Sequence, residues 1–199
     1  MLILAFDTAT DVATVAFVRD GEVLGERLSR AARVLRDVED LLQEAGLERT
    51  DVEGIAVGTG PGSYTGLRMG LVTARTLAVA LDVPVAGVST LDALAAGAPG
   101  AVPVIDAKRR EVFTLAAGSP VCVAASDLIV EPGRAYVGDG AVRYRDEIEA
   151  AGGVVPPDAA PEHVPWARHH AALARKFGPA EAAEPIYLRL PDAERALSR

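Results

Sequence analysis

The chain is short of cysteine, histidine and aromatic side chains, and these shortages exclude several kinds of site. A single cysteine, Cys122, permits no disulfide within the chain, and such usage is typical of a reducing cytosol. We interpret Cys122 as a small buried apolar residue rather than as a nucleophile. The three histidines, His163, His169 and His170, form no metal-ligand pattern with a third donor. We therefore predict no metal site and place these histidines on exposed helix surface.

Basic charge and long apolar runs are also scarce. The chain carries 28 acidic side chains and 20 Lys and Arg side chains, which gives a net charge of −8. Binding to a nucleic-acid backbone requires a basic surface. We expect nucleic acid to be reached only indirectly, through a partner. The apolar runs at 2–6 and 71–81 are too short for a signal peptide or a membrane span, and Arg75 interrupts the second. The sequence predicts a cytoplasmic protein without membrane contact.

The most informative segment is the block GTGPGSYTG at residues 58–66, between an apolar strand and an apolar helix predicted from about Leu67 to Leu81. Its glycines permit close backbone approach, and Ser63 and Thr65 are suited to cap the helix. Its spacing matches neither the phosphate loop that ends in Lys nor the dinucleotide motif. Two interpretations stay open, a phosphate cradle and a tight structural turn. The anion or nucleotide contacts of the first would be Asp7, Thr8, Gly60, Gly62, Ser63 and Asp106.

Hydrophobic patterning predicts a mixed α/β fold. Strands are predicted over 2–6, 12–18, 23–28, 54–57 and 83–88, with helices over 34–45, 67–81 and after Ser89. The resulting order βββαβαβα over residues 1–98 indicates a mixed sheet with packed helices. Residues 99–199 begin in the same way, with a strand at 102–105, a return strand at 111–116, helices at 142–151 and 162–177, and a final strand or arm at 185–189.

Four segments in order along the chain resemble the bacterial TsaB family, also called YeaZ. They are ILAFDTAT (3–10), GTGPGSYTGLRMG (58–70), VIDAKRREVF (104–113) and PIYLR (185–189). The resemblance implies the two-lobe fold of actin, hexokinase and chaperone ATPases, which is ribonuclease H-like and also carries peptidase-like names. We expect an N-terminal lobe over 1–98 and a smaller C-terminal lobe over 99–199. This chain departs from the family in its short second lobe and in Ala31–Arg33, where members usually carry a His-Ser pair.

The resemblance also implies a function. Members take part in making threonylcarbamoyladenosine beside the tRNA anticodon, as a non-catalytic partner and activator of the homologous catalytic subunit, TsaD. A further ATPase subunit belongs to the same complex. The implied assembly is a homodimer when the chain is alone and a mixed complex with a TsaD-like subunit otherwise.

A small-molecule kinase or ATPase of the same fold is the alternative function. It would use Asp7 as a catalytic or metal-linked carboxylate, but the turns after Asp7 and Asp106 lack the glycines that let backbone N–H groups approach phosphate. We favour the simpler interpretation, in which each aspartate closes its own turn by a side-chain hydrogen bond. ATP and Mg²⁺ binding is therefore disfavoured, and no cofactor is predicted. A serine hydrolase is disfavoured too, because Ser63 does not lie in a G-x-S-x-G motif.

The helix over 67–81 is apolar or small on almost every side, so both of its sides need cover. The sheet covers one side, and either a partner subunit or the second lobe covers the other. We favour the partner, because the family resemblance points the same way. The predicted partner interface consists of Leu35, Val38 and Leu42 on the first helix and Gly66, Arg68, Met69, Gly70, Val72, Thr73, Arg75, Thr76 and Val79 on the second.

Overall fold

The computed structural model describes residues 1–189 of the chain and contains two mixed β-sheets. The first sheet has the strand order β3-β2-β1-β4-β5. Strands β1, β2 and β3 form an antiparallel meander, and β4 and β5 continue the sheet parallel to β1. The strands are β1 (Leu2–Asp7), β2 (Ala13–Arg19), β3 (Glu22–Ser29), β4 (Gly54–Gly58) and β5 (Val85–Val88).

Each of the three helices of the first half has a capping residue at one of its ends. Helix α1 (Val34–Ala45) ends at Gly46, which adopts the left-handed conformation with φ 64°. Helix α2 (Tyr64–Leu81) begins earlier than predicted, because the Ser63 hydroxyl accepts from Gly66 N–H. Helix α3 (Thr90–Gly97) begins at Ser89, which accepts from Asp92 N–H.

The second sheet has the order β8-β7-β6-β9, with β9 parallel and β7 antiparallel to β6. Its strands are β6 (Val102–Asp106), β7 (Glu111–Ala116), β8 (Ser119–Ala124) and β9 (Tyr136–Val137). The sequence did not predict β8, and Cys122 on that strand is half-buried rather than buried. Helices α4 (Asp139–Arg143) and α5 (Arg145–Ala150) follow, so the predicted helix over 142–151 is interrupted at Tyr144.

The first sheet is covered on both faces. Alternate residues of β1 such as Leu2, Leu4 and Phe6 face α1 and α2, whereas Ala5 faces helix α6 (Ala167–Leu173). On this second face the core consists largely of alanine and valine: Ala5, Ala16, Val18, Ala56, Ala86, Val88, Ala167, Ala171 and Ala174. Small side chains let α6 lie close to the strands. A helix from the second half of the chain thus completes the first sheet, and the lobe boundary at 98/99 stays a prediction.

The prediction of one helix over 162–177 is wrong. A short 3-10 turn at Pro161–His163 is followed by α6, and the backbone turns extended at Ala174 (ψ 121°). Pro165 disfavours a helical conformation of the residue before it, which prevents one continuous helix. The segment 185–189 forms no strand and runs as an arm. The predicted C-terminal lobe extends to residue 199, and its last ten residues lie outside the described part.

Candidate functional site

The glycine-rich block packs tightly against the turn that follows β1. Ser63 N–H donates to the Ala9 carbonyl (2.7 Å), and the Thr8 hydroxyl donates to the Gly66 carbonyl (2.7 Å). A Cβ at Gly62 would lie 2.2 Å from the Ala9 oxygen, and a Cβ at Gly66 would lie 2.1 Å from the Thr8 oxygen. Only glycine permits this approach. These contacts support the interpretation as a tight structural turn.

Asp7, at the end of β1, is buried and uses both carboxylate oxygens within the chain. Its Oδ1 accepts from Ala9 N–H (2.6 Å), and its Oδ2 accepts from the Thr90 hydroxyl (2.7 Å). The His170 Nε2 atom also lies 2.7 Å from Oδ2. A Cβ at Gly58 would lie 2.2 Å from the same oxygen, so this glycine makes room for the carboxylate. The predicted turn-closing hydrogen bond is present, together with a partner that the sequence did not reveal.

Burial by itself would raise the pKa of the Asp7 carboxyl, but the charge and hydrogen bond of His170 oppose it. With the hydrogen bonds from Ala9 and Thr90, they hold the pKa below its ordinary value. A metal-linked or proton-transferring carboxylate needs a free oxygen that faces a ligand, whereas Asp7 is 1% exposed. The arrangement is that of a buried carboxylate whose oxygens are used within the chain.

The prediction of exposed histidines is wrong for His163 and His170. His170 is fully buried because α6 lays it against the first sheet. His163 is also buried, where its Nδ1 accepts from Gly138 N–H (3.1 Å) and its Nε2 lies 3.1 Å from the Pro156 carbonyl. Sequence spacing gave no signal for the contacts of His170 with Asp7 and of His163 with Gly138, which join residues far apart in the chain. Within residues 1–189, no group of three or more His, Cys, Asp or Glu side chains is arranged to hold a metal ion.

A cleft of about 410 Å³ lies where the two sheets approach each other. Ser63 and Tyr64 line it from the first half of the chain, Asp106 and Asp139 from the second, and residues 186–189 of the arm from one side. The candidate anion contacts therefore fall into two groups, those that line the cleft and those that do not. Ser63, Gly62 and Asp106 line this cleft, whereas Asp7 and Thr8 are buried beneath it and Gly60 contacts Leu67.

Asp106 also closes its own turn, as predicted, by accepting from Lys108 N–H (2.8 Å). Its other oxygen lies 3.2 Å from Lys108 Nζ and 3.5 Å from Arg143 Nε. The neighbouring Asp139 accepts from Asp106 N–H (3.0 Å), and burial raises the pKa of its carboxyl to about 6. The predicted basic turn is solvent-exposed at Lys108, Arg109 and Arg110.

The predicted partner interface divides into exposed and buried residues. Leu35 is 59% exposed, Val72 61% and Val79 75%, and Arg68, Met69 and Thr76 are exposed beside them. Thr73 is half-buried. We call the set Leu35, Met69, Val72, Thr76 and Val79 the exposed apolar face.

Besides Arg68 and Thr73, five further predicted interface residues are not part of that face. The prediction is wrong for Val38 and Leu42, which are buried in the core between α1 and the first sheet. It is also wrong for Gly66 and Gly70, because each lies against Thr8 inside the chain. Arg75 is half-buried and donates to the Ala183 carbonyl (2.8 Å).

Comparisons of the sequence and of the structure with known proteins point to the same protein family. A family model described as TsaD: tRNA N6-adenosine threonylcarbamoyltransferase matches residues 26–138. An uncharacterized protein of Mycobacterium tuberculosis is 36% identical across 96% of this chain and 93% of its own. The Escherichia coli tRNA threonylcarbamoyladenosine biosynthesis protein TsaB is 42% identical, over 57% of this chain and 53% of the relative. That match spans about half the length of the relative.

Among solved structures, YeaZ from Pseudomonas aeruginosa superposes with a TM-score of 0.77 and 30% identity, covering 94% of this chain and 99% of that one. The activator of the 2-hydroxyisocaproyl-CoA dehydratase from Clostridium difficile has a TM-score of 0.50 at 13% identity, a likeness of fold alone. The chain thus has the two-sheet α/β architecture of actin-like ATPase and kinase folds, as predicted. Within that class, it belongs to the TsaB family, also called YeaZ. No helix within the described residues has the length and apolar character needed to cross a bilayer.

Proposed function

We propose that this chain takes part in threonylcarbamoyladenosine biosynthesis on tRNA, as the non-catalytic subunit that docks on a TsaD-like catalytic protein. The names of its relatives support the pathway, and the TsaD-type family model over residues 26–138 supports a homologous partner. The observation that carries the docking role is the exposed apolar face on α1 and α2.

The exposed apolar face has the character of an interface rather than of ordinary surface. It carries a leucine on α1 and a methionine and two valines on one side of α2, each at least 41% exposed. Contiguous apolar surface bounded by charge marks a protein contact site. Arg68 lies at its edge, with its guanidinium 4.2 Å from the centre of the Tyr64 ring. Within residues 1–189 the second half of the chain leaves this face open, which favours the partner over the second lobe as its cover.

The site geometry supports a docking subunit over the kinase alternative. Asp7, which a kinase of this fold would place beside metal-bound phosphate, is enclosed by Ala9, Thr90 and His170. Backbone atoms of the turn after β1 occupy the space beside Gly62 and Gly66 in the glycine block. The block is therefore packed against the chain itself, and this packing does not favour a phosphate cradle. The net charge of −8 supports a role in which the partner makes the principal tRNA contact. In this proposal a separate ATPase subunit uses the nucleotide.

We infer that the same face would also mediate self-association when the partner is absent. A two-fold dimer would place one copy of the exposed apolar face against another, so homodimer and mixed complex would compete for it. Both assemblies bury Val72 and Val79.

Light scattering on a size-exclusion column tests this proposal. Wild type, Val72→Glu and Val79→Glu are run alone and with the TsaD-like protein of the same organism, and Ile129→Glu is the matched control on a side chain 86% exposed in another part of the chain. Each buried charge should weaken the mixed complex about 100-fold or more, because an unpaired charge in an interface costs about 3 kcal/mol. The control should form the complex as wild type does. Complex formation by all four proteins would place the interface elsewhere.

A further inference from the structure

Residues 183 and 184, followed by the arm (185–189), run from the first sheet to the second along one side of the cleft. Ala183 is fully buried against the first sheet, and its carbonyl accepts from Arg75. Further along the arm, Ile186 N–H donates to the carbonyl of Thr59, directly after β4 (2.8 Å). The arm is therefore held by one backbone hydrogen bond at the end of β4 and, just before it, by the Arg75 side chain of α2.

Each of the next three side chains has its own contact. The Tyr187 ring lies 5.3 Å from the Tyr64 ring at the start of α2, tilted by 36°. Leu188 packs against a buried cluster that contains Phe113 of β7. The Arg189 guanidinium donates to Glu111 Oε2 (2.5 Å), and both side chains are at least two-thirds buried.

This pattern is that of a bound peptide. A main-chain hydrogen bond holds a segment without regular secondary structure, and successive side chains occupy an aromatic, an apolar and an acidic subsite. The aromatic subsite belongs to α2, the apolar subsite to the cluster that contains Phe113 of β7, and the acidic subsite to Glu111 at the start of the same strand. Nothing in regular secondary structure requires the arm to follow this path, because it forms neither helix nor strand there.

We propose that the groove formed by Tyr64, the cluster around Phe113 and Glu111, along one side of the cleft, is a recognition site for a peptide of the type Ile-Tyr-Leu-Arg, and that the chain's own arm is its occupant. This inference goes beyond the docking function and rests on other residues. While the arm is bound, it fills one side of the cleft beside Asp106 and Asp139. Release of the arm exposes the aromatic and apolar subsites together with Glu111.

The proposal is tested first within the intact chain, by the rate at which chymotrypsin cleaves after Tyr187. Arg189→Glu and Glu111→Arg each place like charges together, and each should release the arm and speed cleavage at least fivefold. The double variant Arg189→Glu/Glu111→Arg restores an opposite pair and should return to within about twofold of wild type. Arg134→Glu, which breaks the exposed pair with Glu131, is the matched control and should leave cleavage unchanged.

A second measurement tests recognition in trans. A fluorescein-labelled peptide of residues 183–189 is titrated into wild type and into the Leu188→Ala/Arg189→Glu variant, whose arm no longer fits. Fluorescence anisotropy should show at least tenfold tighter binding to the variant, and a peptide ending in Glu should lose that binding.

Three results would overturn the proposal. The first is equal cleavage of the single and double charge variants. The second is equal affinity, or no affinity, of the peptide for both proteins. The third is protection of the arm that rises with protein concentration, because it would assign the occupant to a second copy of the chain.

Discussion

At the scale of single residues, the contact between Asp7 and His170 holds the two halves of the chain together. Asp7 ends the first strand and His170 belongs to α6, and both side chains are at most 1% exposed. Because the pKa of Asp7 is lowered in the folded state, its contribution to stability is present above the ordinary pKa of an aspartate and is lost as the pH falls through the lowered value.

The substitution His170→Gln should lower the free energy of unfolding by about 3–5 kcal/mol at pH 7, because it leaves the Asp7 carboxylate buried without its imidazole partner. The measurement is urea unfolding followed by circular dichroism. The control His169→Gln changes the neighbouring, half-buried side chain, and it should alter the free energy of unfolding by less than about 1 kcal/mol. Equal losses in the two variants would show that the buried pair contributes nothing specific.

The carboxyl of Asp139 has the opposite pH behaviour. Its pKa of about 6 lies above the ordinary 3.8, so ionisation disfavours the folded state and stability is lost as the pH rises through 6. Asp139→Asn should therefore stabilise the chain at pH 8, by up to about 3 kcal/mol, and give little gain at pH 4. Thermal unfolding at the two pH values tests this, and a gain that does not depend on pH would contradict it.

Sequence reasoning reached some of these residues and missed others. Asp7 and Asp106 were identified as turn-closing residues because each ends a strand before a tight turn, and local hydrogen bonds of that kind depend only on neighbours in the chain. The burial of His170 depends on how α6 lies across β1, which the local pattern does not determine. Val38 and Leu42 were assigned to the interface because an amphipathic stripe does not reveal which of its apolar residues face the core.

At the scale of elements, the position of α2 depends on the close approach of its first two turns to the turn after β1. Gly66 and Gly70 allow that approach, since a Cβ at either position would lie within 2.3 Å of a Thr8 atom. This packing fixes Tyr64 in the cleft at one end of the helix and Val79 in the exposed apolar face at the other.

Gly66→Ala should cost about 2–3 kcal/mol of stability, because the added methyl group meets the Thr8 carbonyl and the backbone must shift. Gly97→Ala is the matched control in α3, where the new methyl would meet only the movable His169 ring at 3.2 Å, and it should change stability by less than about 1 kcal/mol. Chemical unfolding of both variants measures the difference. A tolerated Gly66→Ala would mean that α2 is free to move away from the first turn.

The elements of the first sheet were predictable and several later ones were not. Strands β1 to β4 and helix α1 have clear alternation, turn or capping signals, and Gly46 marks the end of α1 as expected. Strand β8 is short and contains Pro120, which weakens its strand signal. The helix predicted over 162–177 followed composition alone, although Pro165 restricts the residue before it.

At the scale of the whole molecule, the chain presents two surfaces that share helix α2. Tyr64 at its start contacts the arm in the cleft, while Val72 and Val79 further along lie on the exposed apolar face. The core needs only one side of α2, and the apolar side chains left outside are those that we assign to the TsaD-like partner. We therefore predict that substitutions on this face act on assembly and leave the fold intact.

The most direct test of this assignment is the yield of threonylcarbamoyladenosine on tRNA in a reaction reconstituted from the purified subunits of one organism. The chain is added as wild type, as Val72→Glu/Val79→Glu or as the Ile129→Glu control, after circular dichroism has shown that all three are folded. We predict full yield with wild type and control, and a loss of at least tenfold with the double variant that excess protein partly restores. Full yield with the double variant would contradict the claim that the chain acts by docking through its exposed apolar face.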